Sequence, residues 1–460
     1  MTPGDLLGAA YKRRFIVILF FVCLFNLGDR AVFSVTAPAI RAELGMNDFQ
    51  IGILQGFCFA LLYGGLGIPI GRLAERYRRT RIIAIATATW SLATVLTGLT
   101  GNFVQMMLAR VAVGMGEAGF TAPTTSLVAD HFPPRQRASA MSVIWLGLPV
   151  GTLVGAIGGG MIAQAYGWRA AFFALGLPGL LVAIVAWFAL REPLRGLADA
   201  STRPASAAPS ATEVPPFREV LRHIIRVRTL RHMMLGAGIC TIGVQGVAQF
   251  MPLMFTRMFS MPIGKAAMLF GLVSGTSLAV GLLLGAFGTD RASLRDERWP
   301  AWGPTIALVV APLFYVAGFS QTSIAPTAAL LIGGGILAMI YYGPSLGMLQ
   351  NLVPSSMRAS AAAVFGMLTA LIGTGVGPTF VGFASDRIAT AQFAGGDYLA
   401  LCAGPLGGRA VELHAACSQA ALLGLRYAII LSVLSFAWAA IHYFLASRSL
   451  RADLAAARVV

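Results

Sequence analysis

The sequence predicts an all-α membrane protein of twelve transmembrane helices, arranged as two six-helix bundles. Of its 460 residues, 57% are hydrophobic and only 11% are charged, whereas soluble globular proteins carry about 25% charge. A spanning helix takes about 20 residues, so twelve use roughly 240 and leave room for loops and one long linker. The net charge of +16 does not indicate a nucleic-acid-binding protein, because the basic residues are not gathered in one polar domain.

Apolar segments separated by glycine, proline or charged residues are the predicted spans. Because hydrocarbon offers backbone groups no hydrogen-bond partner, each span must be a helix. The first follows a basic N-terminus but is too long for a removed signal peptide, so we expect it to remain as a helix. The twelve spans lie near 15–40, 49–71, 82–100, 104–129, 139–164, 171–190, 231–256, 266–288, 303–319, 326–350, 358–384 and 421–446.

A linker divides the predicted spans into six and six. It covers 191–230, between an N-terminal bundle at 1–190 and a C-terminal bundle at 231–460. Residues 198–216 are rich in Ala, Ser, Thr and Pro, a composition typical of disorder. Over 217–228, apolar and arginine side chains alternate with helical spacing. This spacing predicts either a short helix on the inner membrane surface or a solvated linker helix.

Two sequence matches, in the same order, indicate that the halves are repeats. Arg-Ala-Ser-Ala at 137–140 recurs at 358–361, each time a few residues after a proline. A second pair of segments shares a glycine followed by an acidic residue and an arginine. Its members are Gly71, Glu75 and Arg76 in the first half and Gly285, Asp290 and Arg291 in the second. Parallel repeats related by an axis along the membrane normal are typical of transporters.

Basic residues predict the orientation of the spans. Clusters at 12–14, 72–81, 135–137 and 291–298 fall on one side. The loops on the other side are short and poor in arginine, and the few there include Arg41, Arg169 and Arg257. Cytoplasmic loops carry the excess of Lys and Arg, so we expect both termini and the linker to be cytoplasmic. The expected location is the inner membrane of a bacterium.

The five cysteines predict one crosslink and no metal site. Three of them fall within spans, and the sequence has no Cys/His spacing typical of a metal site. Cys402 and Cys417 flank a Gly- and Pro-containing stretch in the outer loop at 386–420. Because a bacterial periplasm is oxidising, we expect a Cys402–Cys417 disulfide, and closing a loop of about 15 residues would stabilise the fold by roughly 3 kcal/mol.

Four charged residues lie inside otherwise apolar spans. They are Asp29, Arg30, Arg110 and Glu117. A charge at membrane depth costs a few kcal/mol, so such residues usually face a cavity and find partners. With a rise of roughly 1.5 Å per residue, Asp29 and Glu117 both lie about 20 Å from the cytoplasmic face.

These depths predict how the charges pair. Neighbours in sequence do not face each other on a helix, so Glu117 is the expected partner of Arg30, and Asp29 has no cationic partner in span 1. We therefore expect Asp29 to be the principal proton carrier, because desolvation raises the pKa of an unpaired acid. Glu117 is the expected second coupling site, which positions Arg30. The alternative is a permanent ion pair that only fixes helix packing.

Several motifs resemble those of the major facilitator superfamily. The loop at 71–79 is similar to the G-x-L-a-D-r-x-G-r-r signature, with Glu75 replacing Asp. The fifth span carries a glycine-proline motif at 147–155. More narrowly, Asp29-Arg30, the segment 114–118 and the stretch from Gly375 to Asp386 resemble the spinster-like branch. The helix-packing residues expected from these motifs are Gly114, Gly147, Pro149, Gly151, Gly377 and Pro378.

The resemblance implies a secondary active transporter that works by alternating access, with proton coupling and a lysolipid- or sphingolipid-type cargo. The alternative is a proton symporter of small organic anions, because anion–cation symporters of the superfamily also carry Asp-Arg in helix 1 and Gly-Glu in helix 4. Expected partners are the cargo, protons and membrane lipids, without nucleic acid, and the chain is expected to be a monomer. An enzyme is not predicted, since the sequence has no nucleophile–base arrangement or nucleotide motif, and no cofactor is expected.

The same family pattern indicates an inner gate, and polar or aromatic residues within the spans are candidates for cargo binding. Glu75 is expected near the N-terminus of span 11, where a helix dipole stabilises a carboxylate, and Asp130 is expected to pair with Arg79 or Arg76. The predicted gating residues are Gly71, Glu75, Arg76, Arg79, Asp130, Asp290 and Arg291. Thr121 follows Arg110 and Glu117 on one predicted helical face. The predicted cargo-binding residues are Arg30, Thr121, Trp145, Gln245, Gln249, Tyr341 and Tyr342, for which helix packing is the alternative role.

Overall fold

A computed structural model describes residues 8–194, 216–354, 357–402 and 411–457. It does not describe the side chains of Ile68, Glu75, Pro134, Arg135, Ala138 and Ala359. Within these ranges every regular element is helical and no strand occurs, which confirms the predicted all-α class. Of the stretch 198–216 predicted to be disordered, all but Pro216 lies outside the described residues.

Eleven of the described helices are long and apolar enough to cross a membrane. In the first half they are α1 (Ala9–Leu44), α2 (Asp48–Ala74), α3 (Arg79–Thr97), α6 (Ser139–Tyr166) and α7 (Trp168–Ala189). In the second half they are α9 (Arg228–Phe259), α10 (Ile263–Ser293), α11 (Trp299–Phe319), α12 (Ile324–Leu352), α13 (Ser360–Gln392) and α15 (Val411–Ala457). The other helices are α4 (Phe103–Glu117), α5 (Thr121–His131), α8 (Phe217–Arg226) and α14 (Tyr398–Cys402).

The fourth predicted span is broken into α4 and α5. α4 has only 15 residues, and a turn at 118–120 separates it from α5. Pro123 stands in the first turn of α5, where its missing N–H would otherwise bond to residue 119. The predicted polar face over Arg110, Glu117 and Thr121 is therefore not on one continuous helix, because the turn at 118–120 interrupts it, and Thr121 is exposed.

The second half repeats this break. Within α12, one helical stretch ends at Met339 and the next begins at Tyr342, and Pro344 occupies the same position after the break as Pro123 does in α5. The fifth helix of each half, α6 and α13, contains a π-helical turn, a feature frequent at functional sites.

The two Arg-Ala-Ser-Ala segments have the same structural role. Arg137 donates to the carbonyl oxygens of Phe132 at 3.0 Å and Ala129 at 2.7 Å, at the end of α5. Arg358 donates to the carbonyl of Val353 at 3.2 Å, just after α12 ends. Arginine in this place satisfies the last carbonyls of a helix and favours its dipole. The repeat therefore has a common physical basis.

A row of glycines packs α6 directly on α1. Gly147, Gly151 and Gly155 are spaced by four residues and so share one face of their helix. A Cβ atom on Gly151 or Gly155 would overlap the backbone of Leu24 or Gly28. Small residues allow membrane helices to approach this closely. The contact fixes α1 just before the neighbouring charged residues Asp29 and Arg30.

The described helices form two compact units by contact. One contains the chain up to Thr36 and the helices from Cys58 to the linker; the other contains 37–57 and the helices after the linker. Within the second unit, α2 begins against α13, because a Cβ atom on Gly52 would overlap the Pro378 carbonyl. The short segment 37–57 thus packs with the C-terminal helices, although in sequence it lies in the predicted N-terminal bundle.

Candidate functional site

Arg30 of α1 is held by one carboxylate and two aromatic rings. Its Nε donates to Oε2 of Glu117 at 2.8 Å, and its Nη2 donates to the same oxygen. The guanidinium carbon lies 4.3 Å from the ring centre of Phe59 and 4.8 Å from that of Tyr63, within the range of cation–π attraction. The predicted Arg30–Glu117 pair is present, and 19% of the Arg30 side chain remains exposed.

Asp29 is fully paired, which corrects the expectation that it lacks a cation. Its Oδ1 accepts from Thr94 at 2.8 Å and its Oδ2 from Arg110 at 3.0 Å. That expectation considered only the helix of Asp29, whereas the cation comes from α4. Arg110 and Glu117 are seven residues apart, so both face α1 two turns apart. Arg110 also lies over the ring of Phe33 at 4.6 Å.

The two acids differ in how well their oxygens are satisfied. Both oxygens of Asp29 accept hydrogen bonds, and Asp29 and Arg110 are each only 3% exposed at the side chain. Oε1 of Glu117, by contrast, is buried without a hydrogen-bond partner among the described residues. An unsatisfied buried acceptor is costly, and a proton on this oxygen would remove the charge that increases this cost. Glu117 is therefore the less constrained acid.

The other predicted cargo residues of the first unit, Thr121 and Trp145, are at least partly exposed. Thr121 is exposed, and Trp145 is half-buried against the ring of Phe120, with centroids 6.0 Å apart. Phe120 packs in turn on Trp90 of α3. Phe120 lies in the turn that follows Glu117, and Trp145 lies on α6.

The predicted cargo residues of the second unit mostly bridge helices. Gln245 donates to Thr374 at 3.0 Å, and the buried hydroxyl of Tyr341 lies 3.1 Å from that of Thr241. Gln249 accepts at its backbone carbonyl from Gln55 at 3.2 Å. Tyr342 is exposed and packs on Phe365. The structure thus links Gln245 and Tyr341 to neighbouring helices by polar contacts, and Tyr342 is the more exposed of the two tyrosines.

An ion-pair cluster lies at the linker end of the first unit. Arg79 is buried and donates to Asp130, to Ser126 at 2.7 Å and to Glu192 at 2.7 Å. Glu192 also accepts from the backbone of Thr80 at 3.0 Å. The predicted Arg79–Asp130 pair is present. Glu192 was missed, and the only sequence signal is an acid directly after the sixth span.

The other predicted gating residues whose side chains the structure describes are exposed or half-buried. Arg76 is exposed, as are Asp290 and Arg291 in the second half. A Cβ atom on Gly71 would meet only Ala122, at 3.8 Å. The side chain of Glu75 lies outside the described residues, so its gating role stays a prediction.

A second ion-pair cluster, in the second unit, was not predicted. Asp48 is buried at the start of α2, and Arg257 binds it through both terminal nitrogens, at 2.6 and 2.7 Å. Arg41 and the Ser385 hydroxyl also donate to Asp48, at 2.9 and 2.6 Å. Asp386 accepts from the first backbone amides of α2. The available signal was the presence of Arg41 and Arg257 in loops otherwise poor in arginine.

A disulfide braces the loop beside this second cluster. The structure joins Cys402 of α14 to Cys417 of α15, with Cα atoms 5.5 Å apart, a normal separation for a disulfide. Both cysteines are buried in a small cluster that includes Tyr398 and Phe393. Burial raises the pKa of the Tyr398 hydroxyl above its usual value.

Known proteins share this architecture over most of its length. The family model of the Major Facilitator Superfamily matches residues 19–378. An MFS-type efflux pump of Mycolicibacterium smegmatis is 30% identical over 81% of this chain and 84% of its own. A probable L-galactonate transporter of Escherichia coli is 26% identical over 81% of this chain and 82% of its own.

A solved structure extends the likeness to the branch. The crystal structure of a bacterial homologue of the human lysosomal transporter Spinster, in an inward-facing and unoccupied conformation, has a TM-score of 0.85 to this chain. It is 28% identical and covers 97% of this chain and 99% of its own. The family match, the apolar helices and this likeness identify a membrane transporter and not an enzyme. The chain belongs to the Major Facilitator Superfamily and is similar to its spinster-like branch.

Proposed function

We propose that this transporter couples the movement of an anionic, amphipathic cargo to protons by alternating access. We further propose that it acts as a monomer in a bacterial inner membrane, with both termini cytoplasmic, as the arginine distribution favours. The observation that carries the proposal is the state of Arg30, which is partly exposed, lies against two aromatic rings and is neutralised by one oxygen of Glu117.

Glu117 is the proposed principal proton carrier, and Asp29 takes the supporting role. Asp29 is neutralised by Arg110 and Thr94, so its ion pair serves to hold α1 against α3 and α4. Protonation of Glu117 removes the counter-charge of Arg30, and the arginine can then bind an anion. The proton and the anion therefore favour the same state of the site, which is the condition for moving them together.

The surroundings of Arg30 favour an amphipathic cargo. A guanidinium next to Phe59 and Tyr63 offers one charged contact beside apolar surface, and Phe120 and Trp145 extend the aromatic surface within the same unit. A lysolipid- or sphingolipid-type molecule combines these features. A small organic anion is the second candidate, supported by the similarity to the probable L-galactonate transporter.

The two ion-pair clusters are the proposed gates. The inner one holds the start of α3 to α5 and to the residues after α7 through Arg79. The outer one holds the start of α2 to α9 and α13 through Asp48. Each cluster contains buried charges, and removing a partner from such a charge strongly destabilises the protein. Each cluster therefore suits a closed state that opens only when all of its contacts are exchanged together.

The test is cargo-induced proton movement in proteoliposomes loaded with a pH-sensitive dye. Galactonate and lysophosphatidate are added separately, and Arg30→Gln is compared with the exposed control Arg13→Gln. We expect proton entry with lysophosphatidate, abolished by Arg30→Gln and retained by the control. A response to galactonate alone would establish the second candidate. Transport of either probe without proton movement would refute the coupling.

A further inference from the structure

The helix that follows the linker is fixed to the second unit by one face. Val220 and Ile224 of α8 are buried, and a ring nitrogen of His223 lies 3.0 Å from the carbonyl oxygen of Leu352, at the end of α12. The next helix, α9, begins two residues later, and the amide of Thr229 donates to Asp453 of α15 at 2.9 Å. α8 is therefore a docked element with a defined orientation, so its other faces have fixed directions.

Two exposed strips run side by side along α8. At 100° per residue, Leu221 and Ile225 form a strip directly beside the docked face. Their side chains are 40% and 53% exposed. Arg218, Arg222 and Arg226 come next and are all exposed. These three are spaced by four residues, so each lies about 6 Å from the next along the same side. An aliphatic strip is thus bordered along its whole length by guanidinium groups.

This arrangement does not suit a helix surrounded by water on both strips. Exposed aliphatic side chains in a row lose the favourable transfer out of water, and three arginines on one side repel each other, with only the exposed Glu219 beside them to offset this within α8. Both costs are removed at a membrane surface, where aliphatic side chains enter the boundary of the acyl chains and cations meet phosphate groups. The docking of α8 on helices that span the membrane brings it to that surface.

We propose that α8 lies in the headgroup layer of the cytoplasmic leaflet and binds anionic phospholipids through Arg218, Arg222 and Arg226. The inference rests on the proposed orientation of the linker, and it adds a lipid-binding site that is independent of the cargo site. Guanidinium groups match phosphate oxygens with paired hydrogen bonds. Leu221 and Ile225 set the depth, so the arginines stand at the level of the phosphates.

The experiment places a fluorophore on Ile225→Cys in the full-length protein. Cys23, Cys58 and Cys240 are buried and Cys402 and Cys417 are bonded, so labelling is directed to the new thiol. The protein is reconstituted in nanodiscs of phosphatidylcholine with increasing phosphatidylglycerol, and quenching by spin-labelled lipid is measured. The same label on Leu294→Cys, in the exposed loop after α10, is the position control.

We expect phosphatidylglycerol to increase quenching at position 225 and not at position 294. Each arginine near an anionic surface strengthens binding to that surface roughly fivefold. Replacing all three with Gln should therefore weaken the association of α8 with phosphatidylglycerol, measured by the quenching, about 100-fold. The matched control, with Gln at the exposed Arg13, Arg295 and Arg448, has the same change in net charge and should retain the dependence within about threefold.

Three outcomes would overturn the proposal. Quenching that is equally strong without phosphatidylglycerol would show insertion with no recognition of anionic lipid. Absence of quenching in every lipid would show a solvated helix or one covered by protein. Equal loss in the control variant would show an effect of net charge alone. None of these outcomes affects cargo-induced proton movement through Arg30, so failure here and failure of the proposed transport remain distinguishable.

Discussion

Replacing Glu117 with Gln removes the exchangeable proton and leaves the rest of the site nearly unchanged. Gln has nearly the same size as Glu and keeps a carbonyl oxygen for Arg30, but it has neither the charge nor the exchangeable proton. Arg30 retains its contacts with Phe59 and Tyr63. The substitution therefore removes one ion pair and leaves the aromatic surroundings, which makes its effect on coupling directly interpretable.

The cost in stability follows from the geometry of the pair. At 2.8 Å and an effective dielectric constant of about 20, two unit charges attract by roughly 6 kcal/mol, much of which offsets the desolvation of Glu117. Removing one partner of a buried pair typically costs about 3–5 kcal/mol. Since 19% of the Arg30 side chain is exposed, we expect the lower end, about 3 kcal/mol, measured by thermal unfolding in detergent.

The effect on transport is larger and more specific. One exchanging carboxylate carries one proton per cycle, and one pH unit is worth about 1.36 kcal/mol, a tenfold concentration ratio. With membrane potential clamped at zero and a gradient of one unit, the parent should accumulate cargo about tenfold. Glu117→Gln should reach no accumulation while still exchanging labelled for unlabelled cargo, because exchange moves no net proton.

Asp29→Asn is the matched comparison in the same site. Because Asp29 is neutralised by Arg110, this change should lower thermal stability by about 3–5 kcal/mol, and the protein that remains folded should still accumulate cargo about tenfold. Accumulation by Glu117→Gln equal to that of the parent would refute the assignment. A parent ratio of about a hundredfold, two protons per cycle, would show that Asp29 exchanges as well.

Three further outcomes are expected. Asp48→Asn leaves the buried charge of Arg257 without its carboxylate and should cost about 3–5 kcal/mol in thermal unfolding; an unchanged melting temperature would contradict the outer cluster's role. If the Cys402–Cys417 disulfide forms in the cell, mass spectrometry without reduction will find both thiols blocked, reduction should cost roughly 3 kcal/mol, and free thiols would disprove the bond. An impermeant maleimide should label Ser320→Cys but not Leu294→Cys in intact cells, and the reverse pattern would invert the proposed topology.

Much of the fold was determined by the sequence alone. Apolar segments of span length must be helices in hydrocarbon, since no other structure satisfies their backbone within one segment. The Arg-Ala-Ser-Ala repeat also carried real structural information, because Arg137 and Arg358 both satisfy the carbonyls of the preceding helix. The Arg30–Glu117 pair was predictable as well, because both residues lie at one depth and a buried charge requires a partner.

The tertiary structure decided which residues of different helices meet, because helical periodicity does not determine this. Periodicity fixes the relative directions of side chains on one helix but not the rotation of that helix against its neighbours, so it could not show that Arg110 turns toward Asp29. A three-residue turn before Thr121 interrupts the helix, so spacing counted through it does not predict a common face. Glu192 and Asp48 follow the same logic, because their arginines come from other helices and only close packing brings them within hydrogen-bonding distance. The choice between Asp29 and Glu117 as the exchangeable acid therefore rests on contacts between helices, which no single segment of the sequence contains.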